Sequence, residues 1–346
     1  MRYLAICLSA LCSAILISFP LQAYEIEGQH RFGPDDANRV LRIISTADVD
    51  ILEPLMTLYL KGQPDVAIDY TLVSSGELMT AIADEGAQFD LALSSAMDLQ
   101  IKLANDGFSA VHESSATDLV PEWGNWRNHV FAFSQEEASI VVSPQAFAGL
   151  PMPRDRQELI NILRRHPERF AGRVATYDLR QSGTGYLFAT QDARTTETFW
   201  RLMEVMGSLD AQLFCCSGVM IEAVSRGDLA VAYNVLGSYA RAREDLADSI
   251  AVIDPADITS MMLRTAILLK GANEDALARS FIDHLLRSAW GADTVPEYPF
   301  YKWHLDRSEA AAATKPIRLG PGLLVFLDAQ KRKRFLRAWL AAIKQE

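Results

Sequence analysis

Residues 41–59 read LRIISTADVDILEPLMTLY. Residues 41–46 (LRIIST) are a short, largely apolar run with paired isoleucines, the composition of a buried strand. Leu52, Leu55, Met56, Tyr59 and Leu60 then recur at helical spacing, so residues 52–60 are expected to form an amphipathic helix. Between them stands a small, hydroxyl-rich turn, Ser45-Thr46-Ala47-Asp48. Strand, turn and helix in that order are half of a βαβ unit.

The unit repeats on either side. Strands are expected at 66–73 (VAIDYTLV), 89–93 (FDLAL), 138–142 (ASIVV), 173–178 (RVATYD), 229–235 (LAVAYNV), 250–253 and 262–269. Helices are expected at 77–83, 97–105, 185–193, 196–206 and 274–289, with an amphipathic tail over 322–344. In that tail, Lys331-Arg332-Lys333-Arg334 reads as a solvated face. Two α/β blocks followed by a return segment is the plan this order implies.

The first 23 residues stand apart. Arg2 precedes an apolar run over residues 4–19, and Leu21-Gln22-Ala23 places a small residue at a plausible cut. This is the layout of a cleavable secretory signal, with an apolar stretch shorter than the roughly 20 residues a spanning helix needs. A periplasmic location follows as the expectation. The chain has 346 residues and a net charge of −11, and removing Arg2 makes it more acidic. An acidic surface excludes nucleic acid as a natural partner. Residues 24–346 exceed the size at which one core stops growing, so two lobes are expected.

Of four cysteines, Cys7 and Cys12 leave with the signal and Cys215 and Cys216 remain. Three readings of the adjacent pair stand open: buried filler, a vicinal disulfide, and a soft contact for ligand. Bridging sequence neighbours asks for backbone distortion.

The turns after the strands share a chemistry. Thr46, Ala47 and Asp48 follow the first, Ser74 and Ser75 the second, Ser94 and Ser95 the third. In the second block, Arg180 precedes Ser182, Gly183 and Thr184. Ligands of open α/β sheets bind beyond the carboxyl ends of strands, where helix N-termini offer free N–H groups to oxyanions. Hydroxyls at these places are also ordinary helix caps. Arg180 could clamp a bidentate anion beside this turn. No HExxH, GxSxG, Walker loop or strand-following GxGxxG occurs, and the six histidines lack metal spacing. No cofactor, no metal and no catalytic residue is therefore assigned.

Segments 41–59, 66–82 (VAIDYTLVSSGELMTAI), 89–98 (FDLALSSAMD), 179–192 (LRQSGTGYLFATQD) and 227–240 (GDLAVAYNVLGSYA) together resemble the type 2 periplasmic solute-binding proteins of ABC transporters, in their ferric-ion-binding-like branch. The resemblance implies two α/β lobes, each a mainly parallel sheet flanked by helices, joined by crossover strands. It places lobe 1 at 24–140 with a return segment at 250–320, lobe 2 at 141–249, and a C-terminal helix at 321–346.

Ferric-binding members place an adjacent tyrosine pair where this chain has Leu236 and Gly237, and an acidic ligand where it has Ser95. Tyr233, Asn234 and Tyr239 lie around the missing pair and join the candidate contacts. The resemblance thus implies a monomer that captures a small anionic or polar solute for an ABC permease. The alternatives are a sensory partner of a histidine kinase, ferric-ion binding and a secreted hydrolase.

Overall fold

In the computed structural model the described residues are 24–293, 295–306, 308 and 312–345. The signal segment 1–23 lies outside them.

The chain begins with β1 (Gly28–Phe32) and β2 (Arg39–Ser45), then α1 (Val49–Leu60) and β3 (Val66–Leu72). Next come α2 (Ser75–Met79), which runs on as a π-helical turn over Thr80–Asp84, then β4 (Leu91–Ser94) and α3 (Met97–Asn105). A hairpin of β5 (Asn125–Trp126) and β6 (Val130–Ala132) leads into β7 (Glu136–Val142). Then follow α4 (Arg156–Arg165), α5 (Pro167–Phe170), β8 (Val174–Tyr177), α6 (Gly183–Thr195), α7 (Thr198–Ser208), β9 (Gln212–Phe214), α8 (Ser217–Ser225), β10 (Val231–Leu236) and α9 (Gly237–Arg241). The chain returns through β11 (Ala251–Ile253), β12 (Thr259–Met262), β13 (Thr265–Leu268), α10 (Asp275–Trp290) and β14 (Thr314–Pro316), ending in helix Ala329–Lys344.

Two sheets result. One has the order β1-β3-β2-β4-β13-β6-β5, the other β14-β12-β7-β10-β8-β9, with β11 also on β7. The expected βαβ units supply parallel neighbours in each: β3-β2-β4 in the first, β10-β8-β9 in the second. Antiparallel strands complete both, so the sheets are more mixed than the expected parallel ones. The cause is that β1, the β5–β6 hairpin, β7 and the return strands β11, β12 and β13 do not follow a helical crossover from the strand they pair with.

That segment also divides differently. The apolar run 262–269 is broken at Leu263-Arg264: β12 pairs with β7 in the second sheet, and β13 with β4 and β6 in the first. Strand β11 pairs with β7 as well, and β14 with β12. Of 250–320, expected with the first lobe, β11, β12 and β14 are built into the second sheet, while β13 and α10 lie with the first. The helix Ala329–Lys344 packs on α7, where a Cβ on Gly207 would lie 2.3 Å from the Ala342 carbonyl oxygen. Its start is fixed by Asp328, which accepts from the Lys331 amide, so the expected tail helix begins later than residue 322. Within its basic run, Arg332 lies 5.1 Å over the Tyr186 ring and is not simply solvated.

The chain passes between sheets at 133–135 and at 263–264, and the passages touch. The Phe133 amide donates to the Arg264 carbonyl at 2.8 Å, and the Arg264 amide to Ser134 Oγ at 2.9 Å. These crossovers meet at the floor between the lobes.

Candidate functional site

A cavity of about 660 Å³ opens between the lobes. Lobe 1 contributes Thr46, Asp48, Ser74, Ser75 and Ser95, which stand where β2, β3 and β4 give way to helices. Lobe 2 contributes Ser182, Gly183 and Thr184 at the start of α6, and Ser217 at the start of α8. The first turns of these helices leave N–H groups with no intrahelical acceptor, which gives the cavity wall a partial positive character.

The hydroxyls serve structure and site together. Ser74 and Ser182 are helix caps, accepting from the Glu77 amide at 3.3 Å and the Gly185 amide at 3.1 Å. Thr46 Oγ1 shares a 3.1 Å hydrogen bond with Ser94 Oγ and accepts from the Ser95 amide. Ser95 Oγ and Thr184 Oγ1, from opposite lobes, meet at 2.8 Å. Gly185 has no room for a side chain, since a Cβ there would come within 2.3 Å of Tyr177. That close approach lets α6 pack directly on the end of β8.

Five of the expected residues lie elsewhere. Ala47 and Ser94 are buried under the wall, Ala47 accepting from the Tyr70 hydroxyl at 2.6 Å through its carbonyl. Arg180 turns back on Asp178, with Nε donating to Oδ1 at 2.8 Å, and its side chain is 51% exposed. The short Asp178–Arg180 separation makes that local pair easier than a reach into the cavity. Tyr233 and Asn234 are buried, donating to Asp192 at 2.7 and 2.8 Å. Asp192 is paired with the buried Arg156, which also donates to Tyr233. A bulge between Ala232 and Val235, with Asn234 at φ +62°, turns this part of β10 away from the cavity. Tyr239 does line it.

The residue the turn pattern missed is Arg264. It lines the cavity floor, is 1% exposed, and sits on the crossover between β12 and β13. Nε donates to Glu136 Oε1 at 2.8 Å, and Nη2 to Glu136 Oε2 at 3.1 Å and to the Tyr239 hydroxyl at 3.4 Å. Among the described residues Nη1 makes no hydrogen bond. The guanidinium lies between the rings of Tyr239 and Phe300, at 5.6 and 5.4 Å. Burial, the largest single effect, favours losing its proton, but Glu136 and Tyr239 together outweigh it and hold the charge. Burial pushes the Tyr239 hydroxyl up to about 12, so it stays a neutral donor. The signal for Arg264 was a single charge inside MMLRTAILL, residues 261–269.

On the lobe 1 side the cavity carries acids. Burial, then the charges of Asp48 and Glu25, raise the Glu27 carboxyl above its ordinary value. The opposite side carries Cys215 and Cys216, joined as a disulfide and both exposed. Of the three readings of this pair, buried filler is excluded. At the position of the missing tyrosine pair, a Cβ on Gly237 would lie 2.4 Å from Ser139 Oγ and 2.5 Å from Glu137 Oε1. A side chain at Gly237 would require Ser139, Arg241 and Glu137 to move.

The sequence model of a family described as bacterial extracellular solute-binding protein matches residues 41–298. Among solved structures, the substrate binding protein of an ABC transporter from Agrobacterium tumefaciens is similar at 29% identity and a TM-score of 0.82, over 91% of this chain and 98% of that one. The periplasmic binding protein AfuA from Actinobacillus pleuropneumoniae, with fructose-6-phosphate bound, is similar at 17% identity and a TM-score of 0.67, over 90% and 100%. Iron-bound HitA from Pseudomonas aeruginosa is similar at 15% identity and a TM-score of 0.62, over 88% and 99%. The latter two are likenesses of fold. No curated protein sequence matches the chain.

Proposed function

Because the chain belongs to the bacterial extracellular solute-binding proteins, we propose that it captures a small anionic, polar solute between its lobes and delivers it to an ABC permease. Secretion through residues 1–23 and work in the periplasm as a monomer are part of this reading. Binding is non-covalent, and the closed form is what the permease meets.

One observation carries the anionic character: a buried, charged Arg264 on the cavity floor with Nη1 uncommitted among the described residues. Glu136 occupies Nε and Nη2 of that guanidinium, which leaves Nη1 to donate to an anionic group, while the helix starts beside it offset the added negative charge. Ser95, Thr184 and Ser217, with the helix starts beside them, add neutral donors around it. Asp48 and Glu27 on the other side suit a solute that also carries hydroxyl or ammonium donors. Ferric ion is a poorer match, since it wants several hard anionic oxygens and Leu236 and Gly237 stand where ferric-binding members place tyrosine ligands.

The reading is tested by thermal shift, then calorimetry, of the secreted protein against sugar phosphates, hydroxy-carboxylates, inorganic phosphate and ferric citrate. A solute that binds only the folded form raises the melting temperature. Arg264→Gln should weaken binding of any anion found by about tenfold or more. Equal affinity in that variant removes the anion role, and a response to ferric ion alone reverses the choice of solute.

A further inference from the structure

We propose that the Cys215–Cys216 disulfide is an apolar contact surface for the solute, so that this protein takes an organic anion whose carbon skeleton lies on the sulfurs. The inference rests on the solute-binding reading above and narrows its solute class, setting aside bare inorganic oxyanions.

Cysteine is among the residues most often buried. Here both members of the pair are exposed, on the cavity wall, between the end of β9 at Phe214 and the start of α8 at Ser217. The disulfide is not needed to hold that loop. On one side the Asp178 amide donates to the Phe214 carbonyl at 2.7 Å, and Phe214 is in register with Tyr177. On the other, Ser217 Oγ bonds the Tyr177 hydroxyl and accepts from the Leu236 amide at 3.1 Å.

Nor does the bridge constrain the unfolded chain much. Cross-links stabilise through the loop they close, and neighbouring residues close the smallest loop there is. What the bridge does change is the cavity surface. Two polar, rotatable thiols become one fixed and polarisable apolar edge.

The edge has company. Val219, in the first turn of α8, is 47% exposed and lines the same cavity, as do Leu72 and Val73. An apolar strip beside hydroxyls and a buried arginine is the pattern of a site that fixes orientation with a few polar groups and holds the rest of the ligand by contact. A cavity of about 660 Å³ is far larger than an inorganic oxyanion and fits a small organic one. Arg264 would take the anionic group, and the disulfide with Val219 a C–H face.

The test is native mass spectrometry of the secreted protein after incubation with a protein-free bacterial metabolite extract, and separately with inorganic phosphate. Wild type should retain an organic species of discrete mass from the extract. Cys215→Ala with Cys216→Ala should lower the occupied fraction about tenfold, and Arg264→Gln should lower it too. Wild type treated with a phosphine, with both thiols counted by alkylation, should lose occupancy as the double variant does. This second arm decides the matter if the double variant does not fold.

Undiminished occupancy in the double variant and in the reduced protein overturns the proposal, while loss in Arg264→Gln alone leaves the solute-binding reading standing. Retention of inorganic phosphate in preference to any organic species also overturns it. Uptake of nothing by wild type fails the solute-binding reading itself, and this inference falls with it.

Discussion

Ser95 Oγ and Thr184 Oγ1 share a hydrogen bond of 2.8 Å across the gap between the two lobes. One hydroxyl belongs to the turn after β4 and the other to the first turn of α6, so a single contact joins the two halves of the cavity wall. Gly183 beside it lies so close to lobe 1 that a Cβ there would stand 3.0 Å from Ser75 Oγ. The lobes therefore meet in a closed arrangement that depends on small side chains.

Removing that hydroxyl contact should favour the open arrangement. One hydrogen bond is worth about 0.5–1.5 kcal/mol, so Ser95→Ala or Thr184→Val should shift the balance by roughly two- to tenfold. Gly183→Val should act more strongly, through a wedge. Small-angle scattering should show a larger radius of gyration for Gly183→Val without solute. An unchanged radius would mean the lobes close by other contacts.

Arg264 and Glu136 stabilise each other where the crossovers meet. Arg264→Leu leaves Glu136 buried without its partner and should cost about 3–5 kcal/mol. Adding Glu136→Leu should return part of that loss, because the stranded charge is then gone. Denaturant unfolding of the three variants checks this. A double variant no more stable than the single would contradict it.

Tyr233 serves the second lobe's interior. Tyr233→Phe removes its bonds to Asp192 and Arg156 and should cost about 1–3 kcal/mol of stability. Solute affinity should stay within about twofold, since this hydroxyl faces Asp192 and not the cavity. A large affinity loss at unchanged stability would return Tyr233 to the site.

Arg180→Ala should do little to either property. Its guanidinium is half exposed, and though Asp178 is nearly buried it still accepts from the backbone amide of residue 180, so the loss should stay at about 0–1 kcal/mol. Calorimetry on any solute found by the thermal screen decides this, and a tenfold weakening would place its guanidinium at the solute.

Asp98 should make stability depend on pH. It lies 3% exposed in the first turn of α3, and burial raises its carboxyl from the ordinary 3.8 to about 6. Its folded-state pKa is raised, so the fold prefers the protonated form. That contribution is whole below about pH 4 and is lost as pH rises through about 6. Asp98→Asn, which keeps an acceptor for the Leu99 amide, should be more stable than wild type at pH 7.5 by up to ~3 kcal/mol. At pH 4 the two should melt together, and a constant difference across that range would show that Asp98 is not the titrating group.

The amino-acid order by itself determined the alternation of strands and helices, because residue periodicity is a local property. Residues 41–46, 66–73 and 97–105 read as strand, strand and helix within a residue or two of β2, β3 and α3. It also determined that hydroxyls stand at strand ends, as a cap and a cavity wall ask for the same residues.

Only the tertiary structure decided which of those turns face each other. It also decided that Tyr233 and Asn234 turn inward to Asp192 at a bulge, and that Arg180 closes on its own loop. Arg264 and the Cys215–Cys216 pair were decided there too. An arginine in an apolar run gains meaning only when Glu136, from a strand far away in the chain, compensates its charge beside a cavity. Exposure of a disulfide depends on which way the loop before α8 is held, and Tyr177 and Leu236 hold it through Ser217. Such long-range pairings set direction, while the local pattern sets only the element.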